Sequence, residues 1–136
     1  MSLVLDSSAT LARLWEDETT EAVSRLFELI RDRGAWVPSL WRLEVANALE
    51  MDVRRGRYVA EFRDGALADL ALLPIQIDPE TDRHAWDATL RLARRHRLTL
   101  YAAYLELALR RALPLATLDR QLRAAARDEN VELLGL

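Results

Sequence analysis

The chain contains no cysteine. That excludes disulfides, cysteine-ligated zinc and thiol catalysis, and it fits a reducing compartment, so the expected location is cytoplasmic. Histidine is scarce: His84 and His96 are the only two, too few for a histidine-rich zinc site. Lysine is absent, and all 19 basic residues are arginine. A P-loop and a Schiff-base mechanism each need a lysine, so both are excluded. No apolar run approaches the roughly 20 residues that span a bilayer. No basic region precedes an apolar stretch at the N-terminus, so neither a membrane partner nor a secretory signal is expected.

What remains is ordinary in bulk and uneven in detail. The 136 residues suffice for one domain, 1–136, with a proper core. Hydrophobic residues make up 51% and charged residues 30%, as in globular chains generally. The net charge of −3 hides an asymmetry. Residues 1–50 hold 9 acids and 5 arginines, whereas residues 91–127 hold 9 arginines and only Glu106 and Asp119 as acids. An arginine-rich rear half suits a polyanionic partner, although solvated helix faces would look the same.

The chain begins with Ser2-Leu3-Val4-Leu5-Asp6-Ser7-Ser8. Three apolar residues without alternation fit a strand buried on both faces of a parallel sheet. Asp6 would then lie at the carboxyl end of that strand, where ligands of open α/β sheets bind. Ser7 or Ser8 is a natural N-cap for the following helix. Asp6 reads two ways, as a hard-metal ligand or as a mere cap.

Strands and helices alternate along the rest of the chain. A helix from Ser8 to Trp15 is followed by one from Thr19 to Asp32, on which Val23, Leu26, Phe27 and Ile30 share a face. Ala35-Trp36-Val37 is a second strand. A helix from Ser39 ends at Gly56, and another spans Val59 to Leu72. Leu73–Ile77 is the third strand, and Asp78-Pro79-Glu80 opens a helix reaching Arg95. After Leu98-Thr99-Leu100 come a helix from Tyr101 to Arg111, a strand at Leu115-Ala116, a helix from Asp119 to Arg127 and a last strand at Glu132-Leu133-Leu134. The alternation predicts an α/β fold, a three-layer α/β/α sandwich around a mainly parallel sheet.

Three acids stand out by position. Asp6 and Asp119 follow strand ends, and Glu44 lies early in the helix after the second strand, between apolar neighbours. Converging on one rim, they would repel one another unless a cation sat between them. Oxygen ligands without Cys or His favour Mg²⁺ or Mn²⁺, which activates water for displacement at phosphorus. Taken singly, Asp119 would cap a helix and Glu44 would pair with an arginine. Asn47, one turn past Glu44, either orients it or faces solvent.

The motifs Leu-Val-Leu-Asp6-Ser7-Ser8, Arg-Leu-Glu44-Val-Ala-Asn47-Ala-Leu and Ala-Thr117-Leu-Asp119-Arg-Gln-Leu, with Leu98-Thr-Leu-Tyr-Ala-Ala-Tyr-Leu-Glu-Leu-Ala-Leu-Arg, resemble PIN domains, in particular the VapC-type toxins of bacterial toxin–antitoxin pairs. The resemblance covers nearly the whole chain. It implies a PIN-like fold, Mg²⁺- or Mn²⁺-dependent endoribonuclease activity on RNA, and a VapB-like antitoxin as partner in a homodimer or higher assembly. It makes Asp6, Glu44 and Asp119 the catalytic and metal-binding residues, with Ser7, Asn47, Glu106 and Thr117 in support. One departure matters. The aspartate that such domains carry at the start of the penultimate helix is absent between Tyr101 and Ala102, and Glu106 follows about one turn later.

Two other classes of function compete. A PIN-like binding module without catalysis would suit the missing aspartate. A phospho-acceptor signalling domain needs adjacent acids after the first strand and usually a late lysine, and this chain has neither. Arg94, Arg95 and Arg97 are candidates for RNA phosphate contacts. Trp15, Trp36 and Trp41 sit in apolar contexts and read as core or interface. The surface around Trp15, Trp41 and the Val59–Leu72 helix is the expected docking face for the antitoxin or a second copy.

Overall fold

Leu3, Val4 and Leu5 are wholly buried, and their strand β1 (Val4–Leu5) lies inside the sheet with a neighbour on each side. In the computed structural model, which describes residues 1–136, β1 pairs in parallel with β2 (Ala35–Val37) and β4 (Leu115–Ala116). Val4 lies opposite both Trp36 and Leu115. The third strand, β3 (Ile75–Ile77), pairs in parallel with β2, giving the order β3-β2-β1-β4. Residues buried on both faces of a parallel sheet cannot alternate with polar ones, which is why the first strand reads as an unbroken apolar run.

Eight helices cover the sheet. The first four are α1 (Ser7–Leu14), α2 (Glu21–Arg33), α3 (Trp41–Arg54) and α4 (Ala60–Ala71); α1 packs on α2 and α3, and α3 on α4. The others are α5 (Thr81–His84), α6 (Ala88–His96), α7 (Ala102–Arg111) and α8 (Arg120–Asp128), and α7 packs against all three. The result is an α/β/α sandwich with an all-parallel sheet. Thr20 caps α2, its hydroxyl accepting the Val23 amide at 3.2 Å. Gly34 ends α2 at φ +75°, with the carbonyl of Pro74 3.0 Å from where a Cβ would stand. Only glycine meets both demands without strain.

The α7 helix is the centre of its layer. Every residue from Ala102 to Ala108 is buried, so it has no solvent face over that span. Its entry is tight: the amides of Ala102, Ala103 and Tyr104 bond to the carbonyls three residues back, at 3.1, 3.0 and 3.1 Å. The two polar groups in the span, Tyr104 and Glu106, must find partners inside the protein.

Two sequence expectations need correction. The single helix from Asp78 to Arg95 is instead the pair α5 and α6. Asp78 opens no helix, because Arg110 and Arg111 claim its carboxylate. The amides of Ala85 and Asp87 then bond three residues back, and the path breaks at Asp87 (φ −121°, ψ −94°). Trp86 is left 92% exposed at the break. The last strand at Glu132–Leu134 shrinks to one parallel bridge, Leu115 to Leu133, held by bonds of 2.9 and 3.1 Å. No helix is long and apolar enough to cross a membrane.

Candidate active site

Asp6 leaves the end of β1 with no exposed surface. A buried carboxylate needs donors, and four hydrogen bonds supply them. The Ala9 amide donates to Oδ1 at 2.9 Å, the Ser8 hydroxyl reaches both oxygens at 2.8 and 2.9 Å, and the Thr117 hydroxyl donates to Oδ2. The N-cap of α1 is therefore Asp6 itself, not Ser7 or Ser8. Capping and site membership are not alternatives at this residue. Burial outweighs the donors and, with a smaller push from the negative charge of Asp119, raises the Asp6 carboxyl to about 6.

Asp119 follows β4 and caps α8, Oδ2 accepting the Leu122 amide at 2.8 Å. Its own amide donates to Thr117 Oγ1 at 3.0 Å. Ser8 Oγ in turn accepts the Leu118 amide at 3.0 Å. Thr117 and Ser8 thus stitch the β1–α1 turn to the β4–α8 turn, which sets Asp119 beside Asp6. Glu44 stands half-buried in the first turn of α3 and accepts the Tyr104 hydroxyl through Oε1. Burial raises its carboxyl even against hydrogen bonds from Tyr104 and Ser7.

Tyr101, at the mouth of α7, registers all three acids. Burial holds its phenol above the ordinary range, and the charges of Asp6, Glu44 and Asp119 add to the effect, while Ser7 opposes it. The structure thus brings Asp6, Glu44, Asp119, Ser7 and Thr117 to one rim, beyond the carboxyl ends of β1 and β4.

It does not close them into the single three-carboxylate metal site expected from the sequence. No group of three or more Asp, Glu or His side chains converges tightly enough to hold an ion. Each acid is drawn to its own donor: Asp6 to the α1 turn and Thr117, Asp119 to its cap, Glu44 to Tyr104. Glu106 does not stand in for the missing aspartate. It is buried in a two-point pair with Arg110, at 2.8 and 2.9 Å. Asn47 is exposed and bonds to none of these acids. Arg94 and Arg97 are exposed without an ion pair, whereas Arg95 is paired with Glu129 at 2.9 Å. Reading the residues one stretch at a time missed Tyr104 and Ser8. The signal for Tyr104 was a hydroxyl in a mostly apolar stretch of helix, Ala102–Ala108.

The donor set suits a hard cation held by one or two carboxylates and otherwise by water, the usual mode for Mg²⁺. All the donors are oxygens. Asp6 and Asp119 repel each other, and a cation between them would cancel that repulsion. Asp119 keeps one carboxylate oxygen clear of backbone bonds.

Comparison with known proteins agrees with this fold. Among curated proteins none matches the chain. Nine chains of solved structures do. One is the crystal structure of PAE2754 from Pyrobaculum aerophilum, 23% identical, with a TM-score of 0.62 over 92% of this chain and 84% of that one. The family model that matches, over residues 3–128, is that of the PIN domain, generally a nuclease fold that uses divalent metals. Matched along almost its whole length, the chain belongs to the PIN domain family.

Proposed function

We propose that this chain is an Mg²⁺- or Mn²⁺-dependent endoribonuclease, the toxin of a type II toxin–antitoxin pair. The observation that carries the reading is the gathering of Asp6, Glu44 and Asp119 around Ser7 and Tyr101 on the binding rim of a parallel sheet. A bound cation, held by Asp6 and Asp119 with Glu44 beside them, would activate water and offset charge developing on a phosphodiester. The protein's own part is to orient and to exclude. Four hydrogen bonds hold Asp6 in one rotamer. Tyr104 aims Glu44. Exposed Arg94 and Arg97 are free to meet RNA phosphates.

The test is cleavage of a fluorescent RNA by purified protein with Mn²⁺ or Mg²⁺, against EDTA. Cleavage that stops in EDTA is the expected result; equal cleavage in EDTA would remove the metal from the mechanism. Two observations favour a second reading, a PIN-fold binding module without catalysis: three carboxylates do not converge on a point, and the aspartate after Tyr101 is absent. RNA binding without cleavage at any Mn²⁺ concentration would decide for it.

The antitoxin would dock on the part of the expected face that Trp41 and α4 line, not on Trp15. Trp41 is buried and its indole N–H donates to Thr10 Oγ1 at 3.0 Å, while Trp15 lies under the Arg57 guanidinium at 4.7 Å. Between α3, α4 and the edge strand β3 runs a groove of about 630 Å³ lined by Leu43, Val45, Leu67, Leu70 and Ile77 among others. Leu43 is 75% exposed there, and β3 leaves one edge unpaired. An apolar segment of a partner would bury both. Leu43→Asp is therefore expected to weaken antitoxin binding by about 10-fold or more with an unchanged melting temperature, since one buried leucine contributes roughly 1.5–3 kcal/mol. Titration calorimetry checks it, and unaltered affinity would place the partner on another face.

A further inference from the structure

Tyr104 has no exposed surface, and its hydroxyl spans from α7 to α3 to meet Glu44 Oε1. The bond joins residues 60 apart in sequence. A phenol has one proton to give, and here it stays protonated, because burial and then the charge of Glu44 hold it far above its ordinary range. The two acids it lies near are held very differently. Asp6 accepts four hydrogen bonds from the turns on either side of it. Glu44 rests on this phenol, with Ser7 as its other polar neighbour. The Leu40 cap of α3 offers no side-chain bond that would fix the first turn further. A glutamate side chain has three torsions, so a rigid donor reaching in from a neighbouring helix restricts where its carboxylate points.

We propose that Tyr104 is a positioning residue: its hydroxyl holds the Glu44 carboxylate toward the rim shared by Asp6 and Asp119, and divalent-cation binding there depends on that hold. The dependence on a cation rests on the nuclease reading; the hold on Glu44 does not. With Glu106 captured by Arg110, no other acid of α7 faces the site, so the contribution of that helix is this hydroxyl. Groups that orient a ligand from behind typically change metal affinity about 10- to 100-fold when removed.

The test uses Tyr104→Phe, which keeps the ring and removes one oxygen. Metal-free crystal structures of wild type and variant are compared first, and Mn²⁺ binding by calorimetry second. The expected result is a displaced Glu44 side chain on an unchanged fold, with Mn²⁺ affinity lower by about 10- to 100-fold. In a Glu44→Gln background the same substitution should change Mn²⁺ affinity no further. A Glu44 side chain that stays in place in Tyr104→Phe overturns the proposal, as does an equal affinity loss in the Glu44→Gln background. If wild type takes up no Mn²⁺, the nuclease reading fails, and the two crystal structures alone decide the hold on Glu44. Should Tyr104→Phe not fold, NMR of the unaltered tyrosine replaces it. The Tyr104 hydroxyl proton should be far downfield and slow to exchange in wild type, and lose both properties in Glu44→Ala. A proton unchanged by that substitution would refute the bond.

Discussion

Asp6→Asn is expected to stop RNA cleavage while making the protein more stable at neutral pH. Asparagine caps a helix as well as aspartate does, so α1 keeps its start. Its carbonyl oxygen can accept the Ala9 amide, and its amide can donate to the Ser8 and Thr117 hydroxyls, which are able to reverse their bonds. What disappears is a buried charge. Folding raises the Asp6 carboxyl from 3.8 to about 6, mainly by burial. The sign follows from that direction. The stabilising contribution of Asp6 is fully present below its unfolded value and is lost as pH climbs through its folded value. Above that window the ionised form costs the fold on the order of 2–3 kcal/mol, at 1.36 kcal/mol per unit. Wild type and variant should therefore melt close together near pH 4 and diverge up to pH 7, the variant melting roughly 5–10 °C higher. Added Mg²⁺ should raise the melting temperature of wild type and leave the variant unmoved. A variant less stable than wild type at pH 7 would mean that the three donors already outweigh burial.

That combination, a destabilised acid at the end of the central strand, was half legible in the chain. Leu3-Val4-Leu5 announces a strand buried on both faces, and an acid directly after such a strand announces the rim. The same logic finds Asp119 after Leu115-Ala116. Local reasoning left Asp6 divided between cap and site, and the fold shows one residue doing both. Of its donors, Ser8 and Ala9 are local, but the bond from Thr117, which the resemblance places only in support, could not be read, because Thr117 is 111 residues away and only the parallel pairing of β1 with β4 brings it close. Tyr104 was hidden for the same reason, 60 residues from Glu44. For Glu106, in contrast, the sequence held a local signal that its place among the supporting residues passed over. A glutamate four residues before an arginine on one helix is an ordinary pair, and Arg110 stands at that spacing. The break between α5 and α6 was not legible: Pro79 signals a helix start, and only tertiary structure shows that Asp78 is spent on Arg110 and Arg111.

Asp78→Ala is expected to be among the most damaging single changes outside the site, costing about 3–5 kcal/mol, the usual loss when a buried ion pair is left with one partner. Asp78 is 1% exposed at the end of β3. Arg110 reaches it at 2.6 and 3.1 Å and Arg111 at 3.2 Å, while Thr81 donates a further bond at 3.0 Å. Burial alone would raise this carboxyl; the bonds from Arg110, Arg111 and Thr81 overcome it and hold it at about 2. Here the sign is opposite to that of Asp6. The stabilisation is present above the unfolded value of 3.8 and is lost as pH falls through about 2, so wild type should weaken steeply between pH 4 and 2 and the variant much less. Arg110 also carries Glu106, and Arg111 lies 3.6 Å from the centre of the Trp36 ring. Removing Asp78 therefore loosens the end of α7 from both β2 and β3. Arg110→Met should be about as costly, because it leaves Glu106 buried without a cation and Asp78 with Arg111 and Thr81 alone. Urea denaturation at pH 7 measures both variants against wild type. A loss under about 1 kcal/mol for Asp78→Ala would mean that water replaces the carboxylate and that the cluster is as weak as an exposed pair.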